Sequence, residues 1–177
     1  MNSRSYWIGV VSKDHVDVGV AGAFTQVNHG KAAPLERMHA GDGFAFYSPR
    51  TKYPDGEPLQ AFTAIGRIRD GRVYQAAMGD FRPFRLDVDF FPAHTAPVRP
   101  LIDGLSFIRS KKHWGAAFRF GVLRVPEADF ALIAAAMGRS FADDFPAAVP
   151  SANAFANVSA NSSAGVPGAS SNTRAST

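Results

Sequence analysis

The polar residues that follow Phe24 are the side chains of this sequence best suited to chemistry. Two amides, an imidazole and a cation occur within six positions, together with one glycine: Gln26, Asn28, His29, Gly30 and Lys31. Amides both donate and accept hydrogen bonds, and lysine supplies a compact positive charge, so this set suits a nucleobase edge or a phosphate. The same composition also suits an ordinary polar surface loop.

A short helix is predicted directly after this segment, because Pro34 stands near the start of an apolar run. Backbone N–H groups at such a start would add donors for an anion. Histidine side chains can act as general bases, so His29 is a candidate for that role, but no nucleophile adjoins it. No Ser-His-Asp arrangement can be assembled from spacing alone.

Metal-ligating residue types show no metal-site pattern. The chain has no cysteine, which excludes a disulfide framework, a zinc finger and a thiol nucleophile. The five histidines lack HxH or HExxH spacing; they are His15, His29, His39, His94 and His113. We therefore expect no metal and no cofactor.

Composition divides the chain into a folded part and a tail. Both tryptophans, all four tyrosines and all but one of the 15 phenylalanines precede Pro146. The remainder consists mainly of Ser, Ala, Asn, Gly, Pro and Thr, which cannot bury enough apolar area to offset the entropy of ordering. We predict one domain over residues 1–142 and a disordered tail over 143–177.

Charge and hydropathy limit the partners and the compartment. The net charge is +4, and 14 of the 19 basic residues are arginines, which suit phosphate contacts and stacking on flat rings. No apolar run approaches the roughly 20 residues that a membrane helix needs, and the first residues are too short an apolar stretch for a signal peptide. We expect a cytoplasmic monomer without a membrane partner.

Hydrophobic periodicity predicts an α+β fold. Short apolar or alternating runs indicate strands at residues 6–11, 44–47, 61–68, 84–91 and 117–125. In the last of these, alternation would direct both Phe118 and Phe120 inward. Helices are predicted after Ser12 and after Pro126, the second with an apolar stripe formed by Phe130, Ile133, Ala134 and Met137. Several short strands with helices near one end favour a small mixed β-barrel with short helices around it.

A series of motifs, in order over residues 4–138, resembles the EVE domain family: YWIGVVSKDHV, FTQVNHGKAAPLERMHAGDGFAFYSPR, QAFTAIGRI, FRPFRLDV, LSFI, WGAAFRFG and PEADF. That family is related to PUA, ASCH and YTH domains, so the resemblance implies a PUA-like barrel. It also implies a binding module rather than an enzyme. Its pocket would accept a flipped or single-stranded base, often a modified one, from RNA or modified DNA.

The resemblance frames the pocket with the first strand and its end, the polar loop, the end of the second strand and, on the far side, Trp114 and Arg119. Its expected lining is Trp7, Ser12, Gln26, Asn28, His29, Gly30, Lys31, Tyr47, Ser48, Pro49, Trp114 and Arg119. The indole rings would stack on the base and the amides would hydrogen-bond its edge, although Trp7 suits a core position equally well. The sequence lacks the complete aromatic cage of the YTH pattern before the last strand. Phosphates are expected at the flanking cations, which are Arg50, Lys52, Lys111 and Lys112.

Two other functions fit the same sequence. Because ASCH relatives look capable of amide hydrolysis, the chain could be a small amidohydrolase of a modified nucleoside. Lys31 would then be the base, assisted by Glu36 or Asp42, and it would need a carboxylate within hydrogen-bond reach. A protein-interaction domain with an unused pocket is the third possibility.

Overall fold

The structure is a computed structural model that describes residues 3–146. Its strands and helices are β1 (Tyr6–Val10), α1 (Lys13–Ala21), β2 (Phe24–Thr25), β3 (Gly43–Arg50), β4 (Pro58–Ile68), β5 (Tyr74–Gln75), β6 (Phe84–Phe90), β7 (Ala96–Pro97), β8 (Val122–Val125), α2 (Glu127–Ala136) and α3 (Phe141–Asp144). Short 3₁₀ helices occupy Asn28–Gly30, Leu35–Arg37, Arg99–Leu101 and Trp114–Phe120. Among the helices of residues 3–146, none is long and apolar enough to span a membrane.

The strands form one curled mixed sheet in the order β2-β6-β4-β3-β1-β8, with β5 added to β6 and β7 added to β4. β1 and β3 run parallel, whereas the other pairs are antiparallel. The pairing of β3 with β4 is irregular near Tyr47 and again before Arg50, and such bulges bend a sheet. The predicted small mixed barrel with short helices is therefore confirmed, as a half-barrel.

Alternation along the strands separates two hydrophobic clusters. Ile8 belongs to the first cluster, which includes Tyr47 and Phe62 and is covered by α2. Trp7, its neighbour in β1, belongs to the second cluster with Phe44 and other residues. Successive strand side chains point to opposite faces of the sheet, which explains this division. The predicted stripe of α2 is confirmed, since all its members are buried: Phe130, Ile133, Ala134 and Met137.

The ordered fold continues beyond the predicted boundary at residue 142, which falls inside α3. Phe145 is buried, and its ring packs against Tyr6, Phe91 and Phe130. The folded part of the chain therefore includes Phe145. Of the predicted tail, residues 143–177, the part from residue 147 onward lies outside the described residues.

The prediction of a strand over residues 117–125 is wrong in its first half. Residues Trp114–Phe120 form a 3₁₀ helix, and β8 begins only at Val122. Gly121, with φ of +70°, joins the two elements, a conformation that glycine adopts without steric cost. Residues two apart in a 3₁₀ helix point in different directions. Phe118 is consequently buried, whereas Phe120 is 75% exposed.

Candidate ligand-binding site

Three consecutive residues of the polar loop adopt left-handed backbone conformations. The φ angles are +47° at Asn28, +57° at His29 and +76° at Gly30. Asn and His tolerate this region better than most residues, but the conformation still costs free energy. At Gly30 a Cβ atom would lie 2.6 Å from the Cβ of Pro83, so the loop backbone packs directly on the segment before β6. Strain of this kind concentrates at functional sites.

The polar loop also packs against the end of the 3₁₀ helix that precedes β8. A Cβ atom at Gly121 would collide with Oδ1 of Asn28, so the Asn28 amide lies directly against the backbone there. The carbonyl of Gly121 in turn accepts a hydrogen bond of 2.7 Å from the N–H of Val10, at the end of β1. Segments distant in sequence are thereby brought to one place.

These segments enclose a cavity of about 800 Å³, a volume typical of small-ligand sites. Its wall combines the start of α1, the polar loop, the end of β3, the turn between β5 and β6, and residues 119–121. Nine of the residues expected at the site from sequence line it: Ser12, Gln26, Asn28, His29, Gly30, Pro49, Arg50, Lys52 and Arg119.

Arg85, which the sequence did not single out, organises one side of the cavity. Its Nε donates a hydrogen bond of 3.1 Å to Oε1 of Gln26. The guanidinium carbon lies 3.8 Å from the centroid of the Phe24 ring, and Nη2 is 2.9 Å from Sδ of Met78. A guanidinium carries only donors, so the carbonyl oxygen of Gln26 must face it.

Ser12, Asp14 and His15 form a hydrogen-bonded group at the start of α1. Ser12 Oγ donates to Asp14 Oδ1 over 2.6 Å, and this bond lowers the pKa of Asp14. Nδ1 of His15 lies 3.1 Å from the same Ser12 oxygen, and because the hydroxyl proton is already used, Nδ1 is the donor. In a catalytic relay the histidine stands between serine and carboxylate. Here Ser12 stands between them, so this group does not activate a nucleophile.

The charge of the cavity wall is positive. Arg50, Lys52, Arg85 and Arg119 all line it, and no Asp or Glu does so within residues 3–146. Arg50 is positioned by a hydrogen bond of 3.0 Å from Nη1 to the carbonyl of Gly56. Such a wall attracts anions, phosphates included.

Exposed apolar side chains concentrate at the same cavity. Of seven large exposed hydrophobic residues in the described chain, five line it, namely Val18, Tyr53, Met78, Phe81 and Phe120. Clustered exposed apolar groups mark binding surfaces, and exposed rings offer stacking faces. None of these rings is expected at the site from the sequence. The only signal for two of them was the turn-forming residues beside Tyr53 and Phe81.

Three of the expected site residues lie in the interior instead. Trp7 is 3% exposed, and its Nε1 donates a hydrogen bond of 2.9 Å to Oδ2 of Asp42. Tyr47 stacks on Phe118 with ring centroids 3.8 Å apart, and burial raises the pKa of Tyr47 to about 12. Ser48 is fully buried, with its hydroxyl paired to that of another residue. None of the three lines the cavity.

The other expected residues outside the cavity wall lie on the surface or in the first cluster. Trp114 packs edge-on against Phe118, with Arg99 over its ring. The ammonium of Lys111 donates to the carbonyls of Ile102 and Leu105 at 2.6 and 2.9 Å. Lys112 is exposed and does not contribute to the wall.

The contact required for amide hydrolysis is not formed among residues 3–146. Lys31 is exposed, lies outside the cavity wall and makes no ion pair with a described carboxylate. Asp42 is buried, and it accepts hydrogen bonds from Trp7 Nε1 and from the backbone N–H groups of Ser5 and His39. Asp42 therefore has a structural role in fixing the turn before β3.

The curled mixed sheet with a ligand-sized cavity beside its polar loop defines a PUA-like domain. The chain belongs to the EVE domain family, whose profile matches residues 5–136, and the resemblance seen in the sequence is thereby confirmed. Domains of this family are typically nucleic-acid-binding.

Several relatives share most of the chain. A UPF0310 protein of Mycolicibacterium vanbaalenii is 54% identical over 132 residues, which cover 74% of this chain and 91% of the relative. The UPF0310 protein YdcG of Bacillus subtilis is 47% identical over 137 residues, covering 77% and 94%. An X-ray structure of a Pseudomonas putida protein gives a TM-score of 0.49 at 18% identity, over 75% of this chain and 99% of that one. That last likeness is too distant to bear on function.

Proposed function

We propose that this protein binds nucleic acid and accepts a flipped or single-stranded base, in particular a modified base, in the cavity beside the polar loop. The observation that carries the proposal is the makeup of the cavity wall. Exposed rings, two amides and four cations converge there, without a carboxylate from the described residues. A base needs stacking faces and hydrogen-bonding groups, and its backbone needs positive charge.

Different residues of the cavity wall are suited to stacking on the base, to hydrogen-bonding its edge and to contacting its phosphates. Phe81 and Phe120 present rings on which a base can stack. Gln26 and Asn28 present amides suited to the hydrogen-bonding edge of a base. Arg50, Lys52 and Arg119 are exposed, where they can contact the phosphates on either side of an inserted nucleotide.

The size of the cavity supports a modified base. Its volume of about 800 Å³ lies in the upper part of the range for small-ligand sites. A base carrying an extra substituent therefore fits as readily as a plain one, and the apolar residues of the wall favour an apolar substituent.

The proposal is tested by fluorescence anisotropy with short labelled single strands of RNA and DNA, each with a plain or a modified central base. We expect binding that weakens steeply as salt increases. Arg119→Gln should weaken binding to all strands. It should also reduce the magnitude of the slope of log binding constant against log salt concentration by about one. Arg72→Gln is the matched control, because the Arg72 side chain is 85% exposed and lies outside the cavity wall. Absence of binding to every strand at low salt would overturn the proposal.

A further inference from the structure

We infer that the cavity selects bases whose inserted edge carries a carbonyl oxygen over bases that carry an amino group there, and that Arg85 is the positioning residue for this choice. The inference rests on the proposed function and concerns the same cavity. It predicts a preference for a 4-oxo pyrimidine or a 6-oxo purine over the corresponding amino base.

The first step is the immobilisation of Arg85. Its guanidinium is held by the Phe24 ring on one face, by Sδ of Met78 and by Oε1 of Gln26. The side chain is half-buried on β6, so few other rotamers are open to it.

The second step is the orientation of the Gln26 amide. Because Arg85 can only donate, it holds the Gln26 oxygen and turns the NH₂ group away from itself. Gln26 lines the cavity, and its Nε2 makes no hydrogen bond to any residue within 3–146. Two donor hydrogens are thus available to a ligand, while the amide oxygen faces Arg85 and has one of its two lone pairs in use.

The third step is that the cationic groups of the wall are donors only and that the Asn28 oxygen is turned away from the cavity centre, toward the backbone of Gly121. At Gly121, Oδ1 of Asn28 is the nearest side-chain atom and Nδ2 is farther away, so the Asn28 oxygen faces the backbone. Arg119 and Arg50 supply donors only. An amino group on the base would meet donors and lose its own hydrogen bonds to water, whereas a carbonyl oxygen would be satisfied.

The experiment uses strands in which a single base is flanked by abasic spacers, so that one base alone can enter the cavity. Uridine is compared with cytidine, and inosine with adenosine, because each pair exchanges a carbonyl for an amino group. The exchange also removes the proton of the adjacent ring nitrogen, so the loss of the ratio in the Gln26 and Arg85 variants is what assigns the preference to the exocyclic group. We expect the oxo member to bind about 3- to 10-fold more tightly. A strand of spacers alone measures the phosphate contribution.

Two variants separate positioning from charge. Arg85→Met should reduce the oxo/amino ratio to below about 2-fold, because the Gln26 amide can then rotate. Arg72→Met removes the same charge outside the cavity and should keep the ratio. Gln26→Leu, at a half-buried position, removes the donor itself and should also abolish the ratio, which serves if Arg85→Met does not fold.

The outcomes distinguish failure of this inference from failure of the proposed function on which it rests. If base-containing strands bind better than spacer strands but the oxo and amino members bind equally, or the amino members bind better, the inference is overturned and the proposed function stands. A ratio retained in Arg85→Met overturns the positioning role. If base-containing and spacer strands bind equally, the proposed function fails with it.

Discussion

Replacing Phe120 by alanine is the most direct test of the cavity. The ring is 75% exposed and lines the cavity, so most of its surface is in water until a ligand covers it. Truncation should therefore change the free energy of unfolding by no more than about 0.5 kcal/mol. The stacking of one base on one ring contributes about 1–3 kcal/mol. Since 1.4 kcal/mol is a factor of ten, the Kd of Phe120→Ala should rise about 5- to 150-fold.

Phe118 provides the matched control on the same 3₁₀ helix. It is 7% exposed and contacts the rings of Tyr47, Phe62, Phe107 and Trp114. Phe118→Ala should lower the unfolding free energy by about 3–5 kcal/mol, as is usual for a buried ring. The fraction that stays folded should bind with little change in affinity.

The assay is anisotropy titration with the tightest-binding strand, paired with urea denaturation of both variants. The reasoning is refuted if Phe120→Ala binds within about twofold of the parent while remaining folded. It is also refuted if the stability effects at Phe118 and Phe120 are equal, because the exposure of the two rings would then not decide their roles.

Three further predictions concern the loop, its contact and the core. His29→Gly should raise the unfolding free energy by about 0.5–1 kcal/mol by relieving the left-handed strain, and a lower melting temperature would contradict this. Gly121→Ala should lower the free energy of unfolding by about 1–3 kcal/mol and weaken binding, because the new Cβ would collide with Asn28. Gly115→Ala is the control, since no atom lies within 4 Å of a Cβ there, and it should change neither stability nor binding. Equal effects of the two substitutions would refute the contact between Gly121 and Asn28. Tyr47 keeps its proton in the folded state up to a pKa of about 12, against 10 when unfolded, so stability should fall between pH 10 and 12. Tyr47→Phe should flatten that decline in urea titrations, and an unchanged decline would contradict the burial of the hydroxyl.

The family, the fold class and the polar loop could be recognised from sequence because they depend on local patterns. A short apolar run predicts β1, and alternating residues predict β4 and β6, all close to their observed bounds; the stripe of α2 follows from helical spacing. Gln26 and Asn28 line the cavity as expected, because a short loop held between ordered elements lies on the surface close to both of them.

The aromatic part of the site could not be predicted in the same way. The family resemblance implies Trp7 and Trp114 as stacking rings, yet both pack into hydrophobic clusters. Phe120 was assigned to the interior by alternation, and the 3₁₀ geometry before Gly121 turned it outward. Residue type and sequence periodicity predict which side chains prefer burial, but not how many of them the interior of the fold can accommodate.

The amino-acid sequence by itself determined the main strands β1, β4 and β6 and the helix α2, which family the chain belongs to, and that a donor-rich loop follows the first helix. Only the tertiary structure decided which rings and cations meet that loop. Arg85 and Gln26 are 59 residues apart, and their hydrogen bond exists because β2 pairs with β6. Contacts between distant segments depend on how the whole sheet curls, and no local pattern encodes that curvature.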